Sequence, residues 1–342
     1  MSQKKTVYYF RVLRAIGCIG IVILHTYYFY IGNFEAAFFQ EVASYTIRNL
    51  QMWAVPCFVM VSGALLLDPE RPMTVGKIYK KYVFRALVAL IFFSLVFHLY
   101  DRLVNGQKLG ITDLWIWFMK FYTDGSWSHL WYLYMLVSIY ILLPVFRKIT
   151  AGSDQKEIRY FLIVCLIFQV VLATVNTLFN IRTGFYIGIY TVYPFYFFLG
   201  YALSKDHIPI SKMWSLILTV GSAVLIIGLT YLQIRFDIAS LKSLLGNYSF
   251  LVVVLLSVGV FSLARHLSLR KENAWIRWVD EQSFGIYLIH MIFVKIGVFL
   301  IKWNPYPQGG MAAVFGIAAG IFVLSMGITW CLKRIPGVHH IL

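Results

Sequence analysis

Residues 8–30, YYFRVLRAIGCIGIVILHTYYFY, form one apolar run that carries Arg11, Arg14 and His25 inside it. About 20 apolar residues in a helix cross a bilayer core, so the run reads as a membrane-spanning helix. It is longer than the apolar part of a signal peptide, contains two arginines and lacks a small-residue cleavage site, so it is expected to be retained. Arg14 and His25 lie eleven residues apart. Eleven steps of ~100° return to within roughly 20° of the start after about 16 Å of rise, so the two side chains share a face. Ionisable groups are costly in lipid and turn toward the bundle interior or a wet cavity, which makes the pair a candidate site. The competing reading has Arg14 snorkelling to the headgroups and His25 packed in the core.

The rest of the chain repeats the pattern. Its 342 residues are 60% apolar with a mean hydropathy of +0.75, and further apolar runs of ~17 to 23 residues mark an all-α, polytopic integral membrane protein. About ten transmembrane helices are expected, at 8–30, 49–67, 82–100, 129–146, 160–178, 185–204, 213–232, 247–264, 283–302 and 310–332. Residues 1–342 are read as a single transmembrane domain with no appended soluble domain. Ten is even, which puts both termini on one side. Most of the 30 Lys and Arg residues fall on one set of flanks, among them Lys4, Lys5, Arg11, Lys77, Arg147, Lys148, Arg270, Lys271, Lys333 and Arg334. Positive loops stay in the cytoplasm, so both termini are assigned there. The formal net charge of +16 is then a matter of topology. Without a stacking platform or a helix-turn-helix pattern, no nucleic-acid partner is expected. Cys18, Cys57, Cys165 and Cys331 sit in apolar runs without ligand spacing, so neither a disulfide framework nor a metal site is expected.

With the termini inside, Arg14 lies about two turns into the membrane and His25 in the outer half. The ~16 Å between them is similar to the reach of an extended pantetheine arm. A cytoplasmic coenzyme A thioester would leave its phosphates among Arg11, Arg14, Lys80, Lys81 and Arg85, whose forks and ammonium groups suit anionic oxygens, and carry its acyl carbonyl to His25. A histidine of near-neutral pKa suits proton abstraction from a sugar hydroxyl. Positive-inside bias alone also accounts for the DPERPMTVGKIYKKYVFR stretch that holds the lysines. Ser62 and Gly63, in VPCFVMVSGALLL, permit close helix approach, with catalysis the alternative. SWSHLWYLY, from Ser126 to Tyr134, places His129 beside Trp127 and Trp131 as either an interfacial belt or a sugar platform. The segment ITDLWIWFMKFY in the connection Asp101–Ser128 suits a short amphipathic or re-entrant helix. In the ninth span, SFGIYLIH sets Tyr287 and His290 about two turns in from the cytoplasm, with Lys295 deeper, where a lysine needs a partner.

In this order, these pieces resemble the membrane-bound acyltransferase 3 family of bacterial surface-glycan O-acyltransferases. The resemblance rests on Arg14 and His25 in the first span, on Phe58, Ser62 and Gly63 in the second, and on His129 to Leu133. Gly200 at the end of PFYFFLGYAL, His290 in IYLIH and the basic tail with Ile335 and Pro336 complete it. Two departures stand out. Tyr82 precedes Arg85 where relatives often carry a second arginine, and Met291 follows His290 where a proline and a helix break are common.

The resemblance implies transfer of an acyl group, acetyl being the expectation, from acyl-CoA to a hydroxyl of a cell-surface or lipid-linked glycan. The setting it implies is the bacterial plasma (inner) membrane. His25 would be base or transient acyl carrier, and Arg14, counted with it as catalytic, would orient the anionic donor together with Arg85. Arg11, Lys80, Lys81 and Arg85 would hold the donor, and Ser62, His129, Trp131, Tyr287 and His290 would support the acceptor. No bound cofactor is expected, acyl-CoA being a substrate. The expected partners are the lipid bilayer and the glycan, with a homo-oligomer or glycan-synthesis enzymes left open. A transporter or flippase for a lipid-linked glycan or small anion is the rival, with Arg14, His25 and Lys295 as pathway charges, and an inactive accessory subunit is a third reading.

Overall fold

The computed structural model describes residues 2–123, 127–189, 191–266 and 273–338, with side chains from residue 8 onward. Lys4, Lys5, Ser126, Arg270 and Lys271 therefore lie outside the described side chains. Among the described residues every regular element is helical. In chain order these are α1 (Ser2–Asn33), α2 (Phe38–Leu50), α3 (Ala54–Leu66), α4 (Val75–Val104), α5 (Thr112–Thr123), α6 (Ser128–Gly152), α7 (Gln155–Phe179), α8 (Tyr193–Ser204), α9 (Lys212–Phe236), α10 (Ala239–Leu245), α11 (Leu251–His266), α12 (Ala274–Ile301) and α13 (Tyr306–Leu332).

Eight of these segments are long and apolar enough to cross a membrane, α2 and α3 counting as one. Two further apolar helices at expected spans are shorter, α11 with 16 residues and α8 with 12. The helix expected over 185–204 begins only at Tyr193, where Pro194 fits a first turn that needs no N–H donor. Two helices begin well before the hydropathy edge. The span expected from 49 starts at Phe38, and the one expected from 283 starts at Ala274. Hydropathy falls at Gln40, Glu41 and Arg48 and again at Arg277, Asp280 and Glu281, but the backbone ladder continues through them.

The chain divides into two compact units, Met1–Asp68 with Gly152–Ile328 and Pro69–Ala151 with Thr329–Leu342. In the first unit α1 and α12 run parallel and in register. Tyr8 meets Asn273, Arg14 meets Asp280, Cys18 meets Ser283 and His25 meets His290, always 265 or 266 residues apart. Steps of four and seven along α1 face steps of three and seven along α12, the spacing by which side chains of paired helices interdigitate. No break follows His290, since α12 stays α-helical to Lys295 and widens into a π turn over Ile296–Ile301. There Gly297 admits the Tyr30 hydroxyl, which any Cβ would displace. The helices α3 and α8 also run the same way. They touch through Gly63 and Gly200, and just past their ends Lys205 Nζ lies 2.9 Å from Asp68 Oδ1.

The second unit is centred on aromatic stacking between α4 and the start of α6. Phe97, fully buried, stacks on Trp127 at 4.1 Å, and Trp127 Nε1 donates to Asp101 Oδ2 at 2.8 Å. The expected short helix in the Asp101–Ser128 connection is α5, anchored by Asp113 and with Leu114, Trp115 and Tyr122 exposed. Gly110 N–H donates to Asp113 Oδ2 at 2.6 Å, and Arg102 Nε lies 2.6 Å from Oδ1. The Gly110 amide, with the Arg102 charge behind it, holds the Asp113 carboxyl below the usual carboxylate range despite burial. A carboxylate whose folded pKa is depressed stabilises above its unfolded value, near 3.9, and ceases to do so as pH falls through the folded value. Asp113→Asn is thus expected to speed hydrogen exchange of the Thr112–Thr123 amides at pH 7. The wild type should show comparable exchange only below about pH 4 once intrinsic rates are corrected. Equal protection in both proteins at pH 7 would remove Asp113 as the anchor.

Candidate active site

The shared face of Arg14 and His25 meets two partners on α12. The Arg14 guanidinium grips Asp280 bidentately, Nε to Oδ1 at 2.6 Å and Nη2 to Oδ2 at 2.9 Å, with the Asp280 side chain 7% exposed. The fork and the carboxylate are matched in geometry, and each neutralises a charge that neither could carry alone among apolar helices. Eleven residues on, His25 Nδ1 lies 2.8 Å from His290 Nε2, and His290 Nδ1 lies 3.1 Å from the Ile286 carbonyl oxygen.

With both rings neutral, this second chain of contacts assigns the tautomers. A carbonyl oxygen only accepts, so His290 carries its proton on Nδ1 and presents a bare Nε2. That nitrogen can only accept in turn, so His25 donates from Nδ1, and its own lone pair resides on Nε2. His25 is half-buried and His290 fully buried. The arrangement can hold an imidazole in one orientation with its basic nitrogen directed away from its support, as a proton acceptor or a nucleophile requires.

His290 thus lies level with His25, where the sequence reading put the two at different depths. Because α12 begins at Ala274, His290 is sixteen residues into the helix, roughly 24 Å of rise. Tyr287 comes with it, its ring 6.3 Å from that of His290. Arg11 lies one turn before Arg14 on α1 and is half-buried. Ser62 donates to the Phe58 carbonyl of its own helix at 2.9 Å, and Phe58 packs against Gly17 of α1. Lys295 is half-buried where the π turn begins.

The remaining expected site residues belong to the second unit. Lys80 and Lys81 are exposed on a π turn over Tyr79–Val83, and Arg85 is exposed a turn later. His129 is buried, 5.3 Å from the Phe97 ring and 6.0 Å from Trp127, while Trp131 is half-buried at the head of the α-helical part of α6. Trp127 and His129 thus pack with Phe97 within that unit. Among the described residues no three His, Cys, Asp or Glu side chains gather as a metal ion would need.

Two residues of this region escape hydropathy reading. Asp280 and Arg48 both fall just outside the spans drawn from apolar content, yet both lie within helices that cross-length segments contain. The spacing Asp280, Ser283, His290 offered a signal for the first, as a second face matching Arg14, Cys18, His25. For Arg48 the sequence holds no such pattern.

Long apolar helices carrying a paired imidazole and a neutralised arginine in their interior define a multi-pass membrane protein with a candidate site between α1 and α12. The family model of the acyltransferase 3 type, described as an acyltransferase domain, matches residues 7–332, nearly the whole chain. The chain belongs to that family and is a membrane acyltransferase. Neither the curated proteins nor the solved structures compared with it gave a match.

Proposed function

We propose that the protein is an O-acyltransferase of the bacterial plasma membrane that moves an acetyl group from cytoplasmic acetyl-CoA to a hydroxyl of a cell-surface or lipid-linked glycan. The observation that carries this reading is the chain of contacts from Ile286 through His290 to His25, which leaves the lone pair of His25 at Nε2 to act as a base. In the step itself, His25 Nε2 takes the proton of the sugar hydroxyl while that oxygen attacks the thioester carbonyl. The C–S bond breaks, and the departing coenzyme A sulfur receives the proton from His25. Arg11, Arg14, Lys80, Lys81 and Arg85 are assigned to the anionic donor, and Tyr287, Ser62, His129 and Trp131 to support of the acceptor side. Parallel α1 and α12 favour an even number of crossings, with both termini in the cytoplasm beside the donor pool.

The test is transfer of labelled acetyl from acetyl-CoA by purified protein in liposomes to crude lipid-linked glycan, with thiol release followed in parallel. Neither thiol release nor labelled glycan from well-inserted protein would overturn the reading.

Arg14 calls for a design that separates its two roles. Arg14→Ala alone strands a buried carboxylate, a defect that costs about 3–5 kcal/mol when a buried pair is broken. The double variant Arg14→Ala with Asp280→Asn removes that penalty. It is expected to melt near the wild type but to raise the KM for acetyl-CoA roughly 10- to 100-fold, the loss of one charge-assisted contact. An unchanged donor KM in the double variant would take Arg14 out of donor binding.

A further inference from the structure

Arg48 lies eleven residues into α2, within a segment long and apolar enough to cross a membrane. An arginine at such a place is ordinarily answered by a carboxylate, as Arg14 is by Asp280. Among the described residues Arg48 has no carboxylate within ion-pair distance. Its Nη1 donates to the neutral Asn49 amide oxygen at 2.7 Å, and Asn49 is held by Thr230 at 3.0 Å. Its Cζ stands 5.3 Å from the Tyr28 ring centroid, and Gly246 leaves room for the guanidinium where a Cβ would come within 3.4 Å of Nη2. Tyr45 and Tyr248 are within its electrostatic reach. The buried Nε has no acceptor among the described residues. A half-buried guanidinium thus sits among Tyr28, Asn49 and Gly246 with no carboxylate against it among the described residues and a donor still to satisfy.

Its position relates it to the chemistry. Tyr28 lies one turn beyond His25 on α1, and the Arg48 charge acts on the His25 imidazole. On the other side of His25, Arg14 already holds its own carboxylate. The two cations are therefore unlike, Arg14 sharing its charge with Asp280 and Arg48 facing no carboxylate among the described residues.

We infer that Arg48, with Tyr28, Asn49 and Tyr248 around it, is an acceptor subsite beside His25 that takes an anionic group, a carboxylate or a phosphate, carried on the sugar to be acylated. This rests on the acyl-transfer reading for its place in the reaction, though not for the binding itself. Planar donors on a weakly hydrated cation suit both oxyanion types, and a neutral sugar would leave the charge as uncancelled as before. The protein would then select charged glycans over neutral ones.

The test is equilibrium dialysis of radiolabelled D-glucuronate, D-glucose 6-phosphate and D-glucose against the full-length protein in lipid nanodiscs. At least one charged sugar is expected to bind roughly ten-fold or more tightly than glucose, as one charge-assisted contact provides. In Arg48→Gln that preference should fall to about two-fold or less, and Arg48→Lys, which keeps the charge without the fork, should retain part of it. Preference for glucuronate alone identifies a uronic-acid acceptor, and preference for glucose 6-phosphate alone a phosphate-bearing one. Equal or undetectable binding of all three sugars by the wild type, or a preference that persists in Arg48→Gln, overturns the inference. Absent thiol release from acetyl-CoA with the anion preference intact would instead sink acyl transfer and leave this subsite standing.

Discussion

His25→Ala is expected to lower acetyl transfer by roughly 10²- to 10⁴-fold, the usual contribution of a positioned general base, while the protein still inserts and melts near the wild type. The side chain is only half-buried, so its removal opens little void in the core. His290 acts through His25 and is a positioning residue. Without an acceptor at His290 Nε2, the His25 proton has no reason to stay on Nδ1, and a share of the imidazoles present an N–H where a lone pair is needed. His290→Ala should therefore reduce kcat by roughly 10- to 100-fold, as loss of an outer orienting partner does, with the acetyl-CoA KM little changed. His290→Gln can offer its amide oxygen to His25 and should recover part of the loss. If His25→Ala kept more than a tenth of wild-type turnover, the imidazole would not be the base. If His290→Ala raised KM and left kcat alone, its role would lie in binding and not in setting a tautomer.

The parts of this site legible in the sequence are those with one-dimensional spacing. Arg14 and His25 share a face because eleven residues are close to three turns, a property of a single helix that needs no knowledge of its neighbours. The all-helical membrane class follows with equal directness from apolar runs of bilayer length. What hydropathy could not supply is the extent of helices beyond the apolar edge. Asp280 and Arg48 lie in helical turns whose polar side chains depress a hydropathy window. Those side chains are satisfied inside the protein, Asp280 by Arg14 and Arg48 in part by Asn49, so the helix has no reason to end. The same displaced edge put His290 and His25 at different depths and hid their partnership. The pairing of α1 with α12 joins residues 265 positions apart, and only a match of two faces, Arg14, Cys18, His25 against Asp280, Ser283, His290, hinted at it.

Gly63→Ala and Gly200→Ala are expected to be strongly destabilising, because a Cβ at either meets helix backbone more closely than at any other described glycine. The two glycines lie at one crossing and press against each other's helix backbone. A Cβ on Gly63 would fall 2.6 Å from the Phe197 carbonyl carbon and closer still to its oxygen, and one on Gly200 would overlap the Met60 carbonyl. Flexible side chains can turn away from an added methyl, but backbone in the middle of a helix can yield only by separating the helices. Small residues at such crossings let helices in lipid gain packing that no larger side chain permits. The cost should reach or exceed the upper end of the roughly 1–3 kcal/mol typical of overpacked cores. Gly221 and Gly228 of α9 supply the control, since nothing lies within 4 Å of a Cβ at either. Alanine there should be neutral or stabilising by about 0.4–1 kcal/mol, because it narrows the unfolded ensemble without a clash. Melting of the purified variants and their yield as monodisperse protein measure both sides of the contrast. The consequence also reaches the chemistry: α3 carries Phe58, whose ring lies 3.2 Å from a Cβ position on Gly17 of α1, so displacing α3 from α8 loosens the seat of the helix that bears Arg14 and His25. A Gly63→Ala protein that melted with the wild type would show that the crossing is looser than its geometry states and that the Ser62–Gly63 pair serves something other than packing.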